Sequence, residues 1–151
     1  MKIVVLKFGG TSVGTIEKIK KVTDIIIEHK KKKNKVIVVS SAMSGVTNDL
    51  IKKSKQISNN FIDSEYDVLV SSGEQVACSL IAGRLNHKGF KSRSWLGWQI
   101  PIFTNGPYTN SRIQQVNKNK LLRFLKEGGI PIITGFQGIN MNERVTTIGR
   151  G

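Results

Sequence analysis

Cysteine is nearly absent from this sequence of 151 residues, and the single one, Cys78, excludes an internal disulfide. A chain without that staple fits a reducing, cytoplasmic setting, and at this length it can bury roughly 70% of its unfolded surface as one domain. Cys78 stands among Val76, Ala77, Leu80 and Ile81, so core packing is its expected role. Long hydrophobic runs are missing too: none approaches the ~18 residues needed to span a bilayer, and no signal-peptide pattern opens the chain. Internal repeats and low-complexity linkers do not occur. His29, His87 and Cys78 make no metal-ligand spacing, and both histidines fall near helix ends where a surface position is expected. No acid–base or nucleophilic dyad can be assigned.

Acidic residues are scarce, 10 against 24 Lys and Arg, for a formal charge of +14. That balance would ordinarily suggest nucleic acid. Yet lysines outnumber arginines 18 to 6, and isoleucine and asparagine are also abundant, the trio that AT-rich codons produce. The densest cluster, Lys30 to Lys33 with Lys35, falls where a helix should end and complements its dipole. No basic and aromatic residues interleave as base-stacking surfaces require, so a nucleic-acid partner is not expected.

Against these absences stands a concentrated signal near the start. Ile3-Val4-Val5-Leu6 reads as a fully buried strand and runs directly into Lys7-Phe8-Gly9-Gly10-Thr11-Ser12-Val13. Two glycines let backbone N–H groups approach an anion, and a lysine supplies a mobile cation that can follow a transferring phosphoryl group. The same pattern also serves as a plain strand-to-helix turn. It is neither a Walker A loop nor a dinucleotide fingerprint.

Thr15 caps a predicted helix with Ile16, Ile19, Val22, Ile25 and Ile26 at helical spacing, and Val36 to Val39 form a second buried strand. Strand, helix, strand without polar alternation predicts a parallel βαβ unit. A helix follows Thr47. The stretch from Asp67 is ambiguous, and a helix to about Asn86 is favoured; Ser72 with Gln75 would cap it if it starts late. Lys91 to Trp95 and Ile100 to Thr104 read as extended, Lys118 to Glu127 as a helix stopped by Gly128-Gly129, Ile130 to Thr134 as a buried strand, and Arg144 to Ile148 as a last strand. The fold class is therefore α/β, a three-layer sandwich around a mostly parallel sheet. Ligands in such sheets bind beyond the carboxyl ends of the strands, where Lys7 to Thr11, Ser40 to Thr47, Phe136 and Arg150 should meet in one crevice.

The Lys7 heptapeptide resembles the N-terminal motif of the aspartokinases, within the amino acid kinase superfamily. Ser41-Ala42-Met43-Ser44-Gly45-Val46-Thr47-Asn48, Ser71-Ser72-Gly73-Glu74-Gln75 and Thr147-Ile148-Gly149-Arg150-Gly151 match in the same order, with Gly97 to Ile102 and Gly135-Phe136-Gln137-Gly138 between them. The resemblance implies phosphoryl transfer from ATP to the side-chain carboxylate of L-aspartate, the first step toward lysine, threonine and methionine. ATP would arrive with Mg2+ carried on its phosphates rather than in a protein metal site. It implies Lys7 as the catalytic cation and Lys7, Phe8, Gly9, Gly10, Thr11 and Ser12 as the ATP-phosphate loop. It further implies Ser41, Thr47, Glu74, Phe136 and Arg150 as the aspartate-binding set. All of these but Arg150 have a plainer alternative: Thr47 as a helix cap, Glu74 as a first-turn carboxylate, Phe136 as packing, Ser41 as a strand-end contact. The family continues its last motif through Gly-Ser-Asp, so residues 1–151 are expected to be the substrate-side part of a truncated kinase domain. The nucleotide-binding part and ACT domains would lie beyond. An inactive fragment is then expected, a partial enzyme that would self-associate as a homo-oligomer if complete; the alternative is a non-catalytic remnant or basic interaction module.

Overall fold

The first two β-branched runs pair side by side. In the computed structural model, which describes residues 2–149, β1 (Ile3–Phe8) and β2 (Lys35–Ser40) are parallel neighbours joined by helix α1 (Ile16–Lys31). Thr15 caps α1 by accepting the Lys18 amide at 3.2 Å. His29, Lys30 and Lys31 occupy its last turn, where cations meet the negative end of the helix dipole. Two further helices follow, α2 (Val46–Ile57) and α3 (Asp63–His87), then β3 (Ser92–Trp95), β4 (Ile102–Asn105) and β5 (Arg112–Val116). The described chain closes with α4 (Asn119–Lys126), β6 (Ile130–Thr134), β7 (Gln137–Ile139) and β8 (Val145–Thr147).

The strands divide into two sheets. The main sheet is wholly parallel in the order β1-β2-β6-β3. On one face α1 and α3 bury Ile19, Ile26, Ile81 and Leu85 against Val36, Val38, Ile130 and Ile132. On the other, α4 packs Leu121 and Phe124 against Trp95, Ile100 and Ile133. These are the three layers expected of an α/β sandwich. A smaller mixed sheet, β5-β4-β7-β8, stands beside it and ties to α3 through β8.

Several local expectations change. The strand β1 is not fully buried: Ile3 and Val5 are 47% and 60% exposed, because β1 is an edge and α4 sits over β6 instead. Helix α3 starts at Asp63, so Ser72 and Gln75 lie mid-helix and form no cap; the Ser72 hydroxyl donates to the Leu69 carbonyl instead. The Val68-Leu69-Val70 run is helical despite its β propensity because Val70 is buried in the tertiary core. Apolar residues on both sides of α3, Val70 and Ile81 inside, Val76 and Leu80 outside, hide any amphipathic stripe. Ile100 lies in a turn before β4 and is a core residue. His29 is half-buried rather than on the surface; His87 is exposed. The strands β5 and β7 were not anticipated: one is exposed throughout, the other has three residues and a central glycine.

Candidate active site

Parallel pairing sets the site. Phe8 stands opposite Ser40, and Ser40 opposite Thr134, so β1, β2 and β6 end on one line across the sheet. The three loops that leave these ends therefore start as neighbours. Backbone bonds lace them together: the Ser41 amide donates to the Phe8 carbonyl at 3.0 Å, Ser44 to Gly10 at 3.1 Å, and Gly135 to Ser40 at 3.1 Å. Between them lies a cavity of about 350 Å3 that collects Lys7, Gly9, Gly10, Ser41, Thr47, Glu74 and Phe136, together with Gly149. A larger hollow of about 620 Å3, between β3 and α4, contains none of the expected phosphate-loop or aspartate-binding residues.

The loop chemistry follows from close approach. A Cβ on Gly10 would come within 3.0 Å of the Ala42 carbonyl oxygen, so only glycine lets the first loop lie this near the second. The N-cap of α2 is Gly45, in a left-handed conformation with no side-chain bond, and Thr47 sits in the first helical turn with its side chain free of capping duty. The helix-cap alternative for Thr47 does not hold. Three members of the expected phosphate loop lie outside the cavity lining: the Phe8 ring packs on the α1/α3 core, and Thr11 and Ser12 are exposed. Phe8 belongs to the alternation of β1 and faces the opposite side from Lys7. Arg150 lies outside the described residues; its neighbour Gly149 lines the cavity.

Glu74 is the strongest chemical feature. It sits in the middle of α3, not in a first turn, and is 1% exposed. Gly73 makes this possible, since a Cβ there would meet Val46 at 2.9 Å and Ala42 at 3.1 Å; α3 could not approach the α2 loop with a larger residue. One Glu74 oxygen, Oε2, accepts the Phe136 amide at 3.0 Å. The other, Oε1, is buried with no partner among the described residues. Burial pushes the Glu74 carboxyl up to about 8, against the pull of the Phe136 and Gly135 amides. A buried carboxyl oxygen left without a hydrogen-bond partner at a cavity is an unusual cost unless a ligand or a water completes it.

Sequence reasoning missed other contributors. Ser44, Asn48 and Gly135 line the cavity, though each stands inside a stretch already quoted for its resemblance. Gln137 is buried and bridges two segments: its Nε2 donates to the Ser71 carbonyl and its Oε1 accepts the Gly97 amide. Asp67 is fully buried beneath β8, and no local pattern marks it. Cys78 is buried in the core, where burial raises its thiol well above the ordinary range.

Comparison with known proteins agrees with this architecture. The model of the amino acid kinase family matches residues 2–151. An aspartokinase of Geobacillus stearothermophilus is 46% identical over 151 residues, covering 100% of this chain and 37% of the relative. One from Rickettsia conorii is 46% identical over 154 residues, covering 100% and 38%. The chain thus spans little more than a third of the length of these curated relatives. Among solved structures, the aspartate kinase from Synechocystis superposes with a TM-score of 0.81 at 36% identity, covering 100% of this chain and 24% of that one. Escherichia coli aspartokinase III, solved with aspartate and ADP, shares the fold at a TM-score of 0.84 and 22% identity, covering 100% and 44%.

Proposed function

Since this chain belongs to the amino acid kinase family, we propose that it is the N-terminal, substrate-side part of an aspartate kinase and forms the aspartate pocket. The observation that carries the reading is the buried, unpartnered Glu74 Oε1 at a cavity that also holds Lys7 and a glycine loop. An ammonium group is the natural partner for that oxygen. On binding, it would draw the Glu74 proton off and form a desolvated ion pair. Thr47 and Ser41 line the same cavity and would hydrogen-bond the amino acid, with Phe136 as an apolar wall. Arg150 follows Gly149 in sequence and would supply the cation for a substrate carboxylate.

Phosphoryl transfer to a side-chain carboxylate needs no general base, because the nucleophile is already ionised. Catalysis then rests on alignment and charge stabilisation. Lys7, at the end of β1, is placed to neutralise charge developing on the transferred group, and the Gly9-Gly10 backbone to receive phosphate oxygens. Mg2+ would arrive with the nucleotide and be held through its phosphates. Complete phosphoryl transfer is proposed for the whole protein and recognition of the amino acid for this part.

The test is calorimetric titration with L-aspartate and with succinate, which keeps both carboxylates but lacks the ammonium. Aspartate is expected to bind at least about tenfold more tightly, the scale of one desolvated charged contact. Equal affinities for the two would overturn the assignment of Glu74.

A further inference from the structure

The ring of contacts around Asp67 concerns the same pocket and therefore rests on the reading above. Asp67 lies on α3 seven residues before Glu74, two helical turns away and on the same side of the helix. It is 0% exposed, and both of its oxygens are fully used. Oδ1 accepts the Thr147 hydroxyl at 2.7 Å, Oδ2 accepts the Thr147 amide at 2.9 Å, and the Thr109 amide bonds both at 3.0 Å. From Thr147 the chain runs to Ile148, whose amide donates to the Phe136 carbonyl at 3.0 Å. The Phe136 amide in turn donates to Glu74 Oε2 at 3.0 Å. The contacts close a circuit from α3 through β8 and the β6 loop and back to α3.

We propose that Asp67 is a positioning residue for substrate recognition. It anchors β8 to α3 so that Phe136, the open oxygen of Glu74 and Gly149 face the same cavity at one separation. The circuit explains why a carboxyl group stands here. Every group facing it is a donor, and a carboxylate accepts at both oxygens, whereas an amide would set its own NH2 against an N–H. Ser111 reinforces the anchor by donating its amide to the Thr147 carbonyl at 2.9 Å. Asp67 itself is outside the cavity lining and touches no substrate position.

The experiment compares the chain with its Asp67→Asn, Thr147→Val and Thr147→Ser variants by amide hydrogen exchange and L-aspartate titration. In Asp67→Asn, exchange at Ile148 and Phe136 should accelerate by about tenfold or more, the loss of one hydrogen bond to a charged group. Val38 and Ile132, in the strands β2 and β6, should keep their protection. Aspartate affinity should fall by a similar factor, Thr147→Val should weaken it in the same direction, and Thr147→Ser should restore it. Unchanged exchange at Ile148 and Phe136 would overturn the proposal, as would Asp67→Asn binding aspartate like the parent or a failure of Thr147→Ser to rescue. If the parent chain binds no aspartate, the functional reading fails by itself, and the exchange data alone decide whether Asp67 holds the circuit.

Discussion

Helix α3 carries two buried carboxyl groups two turns apart, and they are finished in opposite ways. Asp67 has every acceptor site engaged by Thr109 and Thr147, while Glu74 has one oxygen engaged and one left open. Both have the same helix beneath them and nearly no solvent. The contrast is therefore in the donors around them. Around Asp67, three segments of the chain converge; around Glu74, the Phe136 amide is on one side and a cavity on the other. A satisfied buried carboxylate holds a fold together, and an unsatisfied one stores an affinity that a ligand can use.

The comparison breaks most sharply at Glu74. A Glu74→Ala variant should lose aspartate affinity by about 2–5 kcal/mol, as when one partner of a buried charge pair is removed. Titration that finds near-parental affinity would mean that Oε1 waits for something other than the ammonium. Asp67→Ala should act on stability as well as on affinity, leaving the buried Thr147 donors and the Thr109 amide without an acceptor. A cost of about 2–4 kcal/mol is expected, lowering the thermal midpoint by roughly 5–15 °C.

A third change tests how closely the open carboxylate depends on packing. Gly73→Ala should destabilise by about 1–3 kcal/mol through overpacking against Val46 and Ala42, and it should weaken aspartate binding by displacing Glu74. Denaturant unfolding with ligand titration reads both.

Proton linkage sharpens the contrast further. With the Glu74 carboxyl raised from 4.5 to about 8, the folded chain keeps a proton that the unfolded chain loses between those values. This contribution to stability is fully present below about pH 4.5 and is lost as pH rises through 8, and Glu74→Gln should flatten the slope. Binding an ammonium at pH 7 should release close to one proton, measurable by calorimetry in buffers of different ionisation enthalpy. No release would mean that Glu74 stays protonated in the complex. The smallest effect is expected at Glu127, a half-exposed surface carboxylate held low by its hydrogen bond and ion pair with Lys91. Glu127→Gln should leave the thermal midpoint unchanged within error, the baseline for a carboxylate that water already satisfies.

What could be read from sequence follows the same division. The strand–helix–strand start, the Thr15 cap, the stop of α4 at Gly128-Gly129 and the burial of Cys78 all depend on neighbours a few residues away. The convergence of Lys7, Ser41 and Phe136 was legible for another reason, since ligands in a parallel sheet sit beyond the strand ends. The helix favoured from Asp67 to about Asn86 is present but opens earlier, at Asp63, because Ile62 at its N-cap offers no side-chain capping signal. The resemblance groups Phe8 with Lys7 in the phosphate loop, yet alternation along β1 sends the two side chains to opposite faces.

By itself the sequence determined the layer architecture, the glycine loop after β1 and the residue types that a phosphate and an amino acid would need. These are set by local periodicity and by conformations open to few residues. The tertiary structure alone decided that Glu74 would be buried with one oxygen open, that Asp67 would bind a strand eighty residues away, and that β5 and β7 would be strands at all. In each case the outcome depends on a hydrogen-bond donor or a pairing edge delivered from a distant part of the chain, and no window of neighbouring residues carries that information.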